Sequence, residues 1–179
     1  FTSDLHFNHE NIITFCGRPY VSVEEMNTAL INNWNAVVPE DGVVFVLGDI
    51  GFCSVAVLKE LFNKMNGNKY LILGNHDYSM QTQLEKAGIF KEICNLKQIK
   101  IDTQNIVLCH YPMLCFNGDH RGAWQLYGHI HSGPGISTND TEKAKTLRPT
   151  QYDVGVDNNN YTPISFAQLQ TIITNKNRV

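Results

Sequence analysis

The 179-residue sequence predicts a mixed α/β sandwich, on three observations. Apolar runs of strand length alternate with amphipathic helical segments through the first half of the chain. Mostly strand-like runs fill the second half. Five of the apolar runs end in His, Asp or Asn, three of them after a glycine.

The elements follow in order. The first apolar run is Phe1-Thr2-Ser3. A helix is expected from about Val23 to Trp34, because Ser22 and Glu25 make a capping box and Met26 and Leu30 share a face. Val43–Leu47 reads as a buried strand. The helix after it carries Val57, Leu58, Leu61, Phe62 and Met65 as an apolar stripe, with Gly67 as its stop. Lys69–Leu73 is the third strand, and a short helix then reaches Ala87 and ends at Gly88. Between Glu92 and Cys109, β-branched residues around an Asp102–Asn105 turn predict two or three strands, a hairpin among them. Trp124–Tyr127 and Tyr152–Val156 are further strands. Ser165 and Gln168 cap a last helix reaching about Thr174, and residues 132–150 read as a long polar loop.

The length suits one domain, 1–179, with a core that needs no staples. Apolar residues at 42% and charged residues at 17% are ordinary for a soluble globular protein. A formal net charge of −3 argues against general electrostatic binding of nucleic acid. It leaves open an enzyme acting on phosphate, because bound metal ions supply local positive charge. The cysteines are Cys16, Cys53, Cys94, Cys109 and Cys115. Their odd number and the lack of C-x-x-C point away from a disulfide framework and toward a reducing, cytoplasmic setting. No apolar run approaches the roughly 18 residues of a membrane span. The first residue is Phe1 rather than Met, which leaves an upstream segment open.

The strand ends carry the chemistry. After the successive runs come Asp4-Leu5-His6, Gly48-Asp49, Gly74-Asn75-His76-Asp77, His110 and Gly128-His129-Ile130-His131. Ligands of open α/β sheets sit outside the carboxyl ends of the strands, so neighbouring strands would aim these groups into one crevice. Asp4/His6 and His129/His131 are spaced i, i+2, which in extended chain puts both side chains on one face. Imidazole and carboxylate donors without thiolate suit Mn, Fe, Zn, Ni or Co. The seven candidates Asp4, His6, Asp49, Asn75, His110, His129 and His131 exceed one ion's coordination and suit two ions sharing a carboxylate. Singly, each motif is a common turn. Their recurrence at five run ends is what makes a metal centre the stronger reading.

The ordered set Asp-x-His, Gly-Asp, Gly-Asn-His-Asp, His, Gly-His-x-His runs from Asp4 to His131 and resembles the calcineurin-like metallophosphoesterases. The resemblance implies a four-layer α/β/β/α sandwich of two mixed sheets flanked by helices, with two divalent ions between strand ends. Mn is the foremost candidate, with Fe, Zn, Ni, Co or Mg as others. Carried over by motif, one ion takes Asp4, His6, Asp49 and His131. The other takes Asp49, Asn75, His110 and His129, so that Asp49 bridges. His76 is implied to lie beside the substrate phosphate, oriented by Asp77. The second motif lacks the Gly-Asp-x-Val-Asp-Arg-Gly of phosphoprotein phosphatases, and the third ends in Asp77 rather than Glu. The chain therefore looks more like the small bacterial and phage phosphodiesterase or phosphohydrolase branch. His6–Ile13, leading to Arg18-Pro19, resembles that branch as well, and His9 and Arg18 are its candidate phosphate or leaving-group contacts.

The implied activity is hydrolysis of a phosphodiester or phosphomonoester by a hydroxide held between two ions. The substrate is expected to be a small phosphoester or nucleotide-like molecule, with neither a membrane nor general nucleic acid as partner. Two alternatives stand beside it: a binding scaffold on the same fold, and a nuclease of the same superfamily. A scaffold could lose His76 without losing its shape, whereas every motif position is filled here.

Overall fold

The computed structural model describes residues 1–136 and 138–176, so residue 137 of the expected loop and residues 177–179 of the expected domain lie outside the described residues. Two sheets face each other. The first holds β1 (Val43–Val46), β2 (Asn68–Ile72) and β3 (Ile93–Cys94), all parallel. The second holds β4 (Leu96–Ile101), β5 (Gln104–Cys109), β6 (Trp124–Tyr127) and β7 (Gln151–Asp153). It opens with an antiparallel hairpin and continues parallel. The helices are α1 (Glu10–Phe15), α2 (Val23–Val37), α3 (Val55–Asn63), α4 (Gln81–Ala87), α5 (Asn139–Ala144) and α6 (Phe166–Lys176). The architecture of two sheets flanked by helices is as expected, but only the second sheet is mixed. Helices α3 and α4 each carry the chain back between successive strands of the first sheet, and such a crossover delivers the next strand parallel.

Two cores set the layers. Met26, Leu30 and Trp34 of α2, Leu58 and Phe62 of α3 and Leu84 of α4 pack on Val44, Val46 and Leu71 of the first sheet. Leu47 and Ile72 meet Ile106, Leu108, Leu126 and Tyr152 between the sheets, and Leu169 and Ile173 of α6 complete that cluster. The outer face of the second sheet is covered thinly. Met113 and Phe116, from the irregular segment before β6, sit on Val107 and Ala123. Beside them the buried Gln125 and Gln151 side chains hold the segment by its backbone. Gln125 donates to the Tyr111 carbonyl at 2.8 Å and accepts from the Met113 amide at 3.0 Å, and Gln151 donates to the Met113 carbonyl at 2.9 Å.

Local chemistry explains the agreements and the differences. Ser165 and Gln168 form the expected reciprocal cap, each side chain bonding the other's amide, at 2.8 and 3.2 Å. At α2 the Ser22 hydroxyl accepts from the Glu25 amide, but the Glu25 carboxylate turns to the amide of Val21 instead of Ser22. Phe1–Ser3 forms bridges rather than a full strand: Thr2 pairs with Val46 on one side and Ser3 with Gly155 on the other. The strand expected at Tyr152–Val156 stops at Asp153, whose Oδ1 accepts the Gly155 amide at 2.7 Å and turns the chain into a 3-10 turn at Val156–Asn158. Within the expected loop 132–150, α5 forms on a Thr138/Thr141 capping box.

Candidate metal centre

Asp49 occupies the middle of the crevice. Its Oδ2 lies 3.7 Å from His6 Nε2, 3.6 Å from His110 Nε2 and 3.8 Å from His76 Nε2. The glycines before these motifs allow that convergence. Gly48 adopts φ +88°, and a Cβ at Gly74 would collide with the Asp49 carboxylate, so the second and third motifs touch backbone to backbone. The metal-ligand candidates themselves take backbone shapes that L residues rarely adopt. Asp4, His6, Asp49, His129 and His131 have φ of 57°, 51°, 53°, 71° and 47°. Such left-handed residues cost roughly 1–3 kcal/mol each and persist where surrounding structure enforces them, typically at functional sites.

The donor atoms fall into two groups with ligand spacing, Asp4 with His6 and His131, and Asp49 with His110 and His129. Asn75 joins the second group, its Oδ1 being 3.1 Å from His110 Nε2. Asp4, His6, Asp49 and His110 are buried, and His129, His131 and Asn75 half-buried. Two features fit a cation. The buried His6 Nε2 has no hydrogen-bond partner although it faces Asp49. His110 Nδ1 lies 2.7 Å from the Leu47 carbonyl, to which only an N–H can bond. In the neutral ring that leaves Nε2 as an acceptor facing another acceptor, Asn75 Oδ1, an arrangement a shared positive ion relieves.

Each imidazole on the Asp4 side is oriented by a neighbour. His6 Nδ1 is 3.1 Å from His9 Nδ1, and His131 Nδ1 is 2.6 Å from Asp157 Oδ2. Burial holds the His6 pKa well below its usual value, with the His131 charge adding to it. For His131 burial also works downward, but Asp4 and the Asp157 hydrogen bond outweigh it and push its pKa up to about 11. Burial raises Asp4 to about 6 against the opposing pull of His131 and His110. His129 is lowered by burial and by His110.

Two expected roles change. Arg18 is buried and makes no contact open to a substrate. Its five N–H groups go to Asp157 Oδ1 and Oδ2 at 2.8 and 2.9 Å, the Asp4 and Leu5 carbonyls at 2.8 and 3.1 Å, and Met26 Sδ at 3.4 Å. Asp77 does not touch His76. It is fully buried, and its carboxylate accepts from the amides of Gly74, Asp49 and Ile50 at 2.8, 2.9 and 3.1 Å, pinning the two motif loops together. His9 points one nitrogen at His6 and stacks on Phe52 at 3.9 Å, so it positions a ligand candidate and holds the rim. His76 stands at the mouth of the crevice, its Nε2 3.8 Å from Asp49 Oδ2. Its side chain is 43% exposed, against Phe52 at 4.5 Å, and its amide donates to Asp49 Oδ1.

The carboxylates Asp153 and Asp157 were not among the sequence candidates. Asp157 orients His131. Asp153 accepts from the amide and hydroxyl of Ser132, at 3.0 and 2.6 Å, and so anchors the turn that presents His131. For Asp157 the signal was available: it directly follows the last run, Tyr152–Val156, as the ligand candidates follow theirs, whereas Asp153 lies inside that run. Cys16 also lies within ligand spacing of His131 and Asp157.

A family model described as calcineurin-like phosphoesterase matches residues 1–154. An uncharacterised protein of Methanocaldococcus jannaschii is 33% identical, over 96% of this chain and 88% of its own length. The gene 66 protein of Mycobacterium phage L5 is 27% identical, over 88% of this chain and 85% of its own. A crystal structure of a protein of unknown function from Aquifex aeolicus superposes with a TM-score of 0.73 at 23% identity, covering 96% of this chain and 97% of that one.

Proposed function

The chain belongs to the calcineurin-like phosphoesterase family, a family of metal-dependent hydrolases, and from that premise we propose that it cleaves a small phosphodiester at a centre of two divalent ions, Mn foremost. The observation that carries the reading is Asp49 Oδ2, ringed by three imidazole nitrogens at 3.6–3.8 Å and set between two ligand groups. Asp4, His6, Asp49 and His131 would hold one ion, and Asp49, Asn75, His110 and His129 the other. Two bound ions would neutralise the phosphoryl oxygens and activate water for in-line attack. The protein does the rest. Asp157, His9 and the Leu47 carbonyl fix the ring orientations of His131, His6 and His110. His76, exposed at the mouth, delivers a proton to the leaving oxygen or stabilises charge on phosphorus. Arg18, spent inside the protein, is not there to balance the second charge of a monoester, which favours a diester. Five free cysteines support a reducing compartment, the cytoplasm, as the place of action. Among the described residues no helix is long and apolar enough to cross a membrane.

The test is His76→Ala in the Mn-loaded protein. Two ions should remain bound by elemental analysis while kcat falls roughly 10²–10⁴-fold. The loss should be larger for an alkyl alcohol leaving group than for nitrophenol, which departs unprotonated. Equal losses would make His76 a charge stabiliser. No kinetic defect at full metal occupancy would remove it from the chemistry.

A further inference from the structure

Beside the second ligand group lies a cavity of about 360 Å³, roofed by α5 and floored by the segment after His110. His129 is among its lining residues, so an ester arm leaving the proposed centre on that side would meet it. Its walls are mainly apolar: Pro112, Leu114, Ile130 and Leu147, with Tyr111. Tyr111 is 38% exposed, and its ring stands 4.7 Å from the His129 ring and 5.0 Å from that of His110. Leu114 is 82% exposed. The one cation among the lining residues, Lys143, is paired with Asp140 at 2.9 Å.

We propose that this cavity is the subsite for one alcohol arm of the phosphodiester and that the arm is a nucleoside stacked on Tyr111. The inference rests on the diester reading above. The volume lies within the range of about 300–1,000 Å³ typical of small-molecule pockets. The lining charge cancels, so nothing there receives a second phosphate, and the arm is neutral. An exposed ring beside apolar walls selects a planar face over an alkyl chain, because a base stacks on an aromatic side chain whatever its identity. Asp140 and Thr146 supply polar atoms for the N–H and hydroxyl groups a nucleoside carries.

Two diesters with the same leaving group isolate the retained arm: thymidine 5′-(4-nitrophenyl) phosphate and ethyl 4-nitrophenyl phosphate. The Mn-loaded full chain should favour the thymidine ester in kcat/KM by about 5- to 150-fold, mainly through KM, the range that base stacking on an aromatic provides. Tyr111→Ala should bring the ratio of the two esters close to one, and Tyr111→Phe should keep it. Ala144→Trp, which fills the cavity from α5, should also abolish the preference while two ions stay bound. Equal kcat/KM for the two esters in a protein that hydrolyses both overturns the subsite and leaves the phosphodiesterase reading standing. So does a preference that survives both Tyr111→Ala and Ala144→Trp. If the metal-loaded protein hydrolyses neither ester, the activity reading fails, and calorimetric titration with the uncleaved thymidine ester judges the cavity alone. Binding weakened by Ala144→Trp supports it; no binding, or binding indifferent to that change, overturns it.

Discussion

The two halves of the centre hold comparable ligands by different physics. On the Asp4 side, His131 leans on Asp157, and Asp157 is paired with Arg18 at 2.8 Å, the two side chains 1% and 0% exposed. The same guanidinium reaches the carbonyl of Asp4, so one buried charge network fixes two ligand-bearing turns. On the other side the Asp77 carboxylate pins the Asp49 turn and the Asp4 carboxylate accepts the His129 amide, but around His110 itself the supports are neutral. The Leu47 carbonyl faces His110 Nδ1, and Gln125 and Gln151 hold the backbone of Tyr111 and Met113. A buried ion pair that loses one partner leaves an uncompensated charge, whereas a lost neutral bond leaves only an unsatisfied dipole. The halves should therefore differ in how severely they fail.

The largest effect should come where they meet. Asp49→Asn alters the carboxylate proposed to serve both ions, so both ions should weaken and hydrolysis should fall to the background of the metal-free protein. Chelation of the parent protein should do the same, with Mn²⁺ restoring it. Two tightly held ions in the Asp49 variant, by elemental analysis, would refute the shared position.

Next comes the contrast itself. Arg18→Met should cost about 3–5 kcal/mol, since a buried ion pair loses its cation and Asp157 keeps only His131 as a side-chain partner. For a chain of this size that lowers Tm by roughly 6–20 °C. Gln125→Ala should cost about 1–3 kcal/mol, with a correspondingly smaller shift. Metal titration should show the Arg18 variant weakened mainly at the Asp4 side. Equal Tm losses in the two variants, measured by calorimetry without metal, would erase the distinction between charged and neutral support.

The same contrast explains what the sequence disclosed. Strand ends were legible because each follows a run of apolar residues whose burial fixes the strand, and a short polar motif directly after it has one direction to go. Asp4, Asp49, Asn75, His110 and the His129/His131 pair were found that way. Support was not legible in the same way. Arg18 and Asp157 lie 139 residues apart, and nothing local marks them as partners. A surface arginine and a buried one look alike until the fold counts their donors. Asp77 was adjacent to His76 and so invited pairing with it, but the turn after Gly74 aims its carboxylate back at three amides. Helix α1 was missed because it is six residues long and its N-cap, His9, makes no side-chain bond to it. Helix α5 was missed because its cap is Thr with Thr, not the usual Glu or Gln partner.

The smallest expected effect is a single proton, and it separates the halves most cleanly. In the metal-free chain His131 has its pKa raised to about 11, so at pH 8 its ring is charged. The ring keeps one N–H toward Asp157, and coordination through the other nitrogen requires that nitrogen to lose its proton. On the other side burial lowers the His129 pKa, and His6 lies well below its usual value, so both are already neutral at pH 8. Asp4, raised to about 6, is ionised there too. Loading both ions at pH 8 should therefore release about one proton from the Asp4 side, over and above any that the activated water loses. Isothermal titration of Mn²⁺ in buffers of different ionisation enthalpy measures that number as the slope of observed against buffer enthalpy. The Asp157→Asn variant removes the charge that helps hold His131 protonated, so its slope should fall below that of the parent. A slope near zero in the parent would mean that His131 is neutral before the metal arrives, and that buried charge does not set the state of this half of the centre.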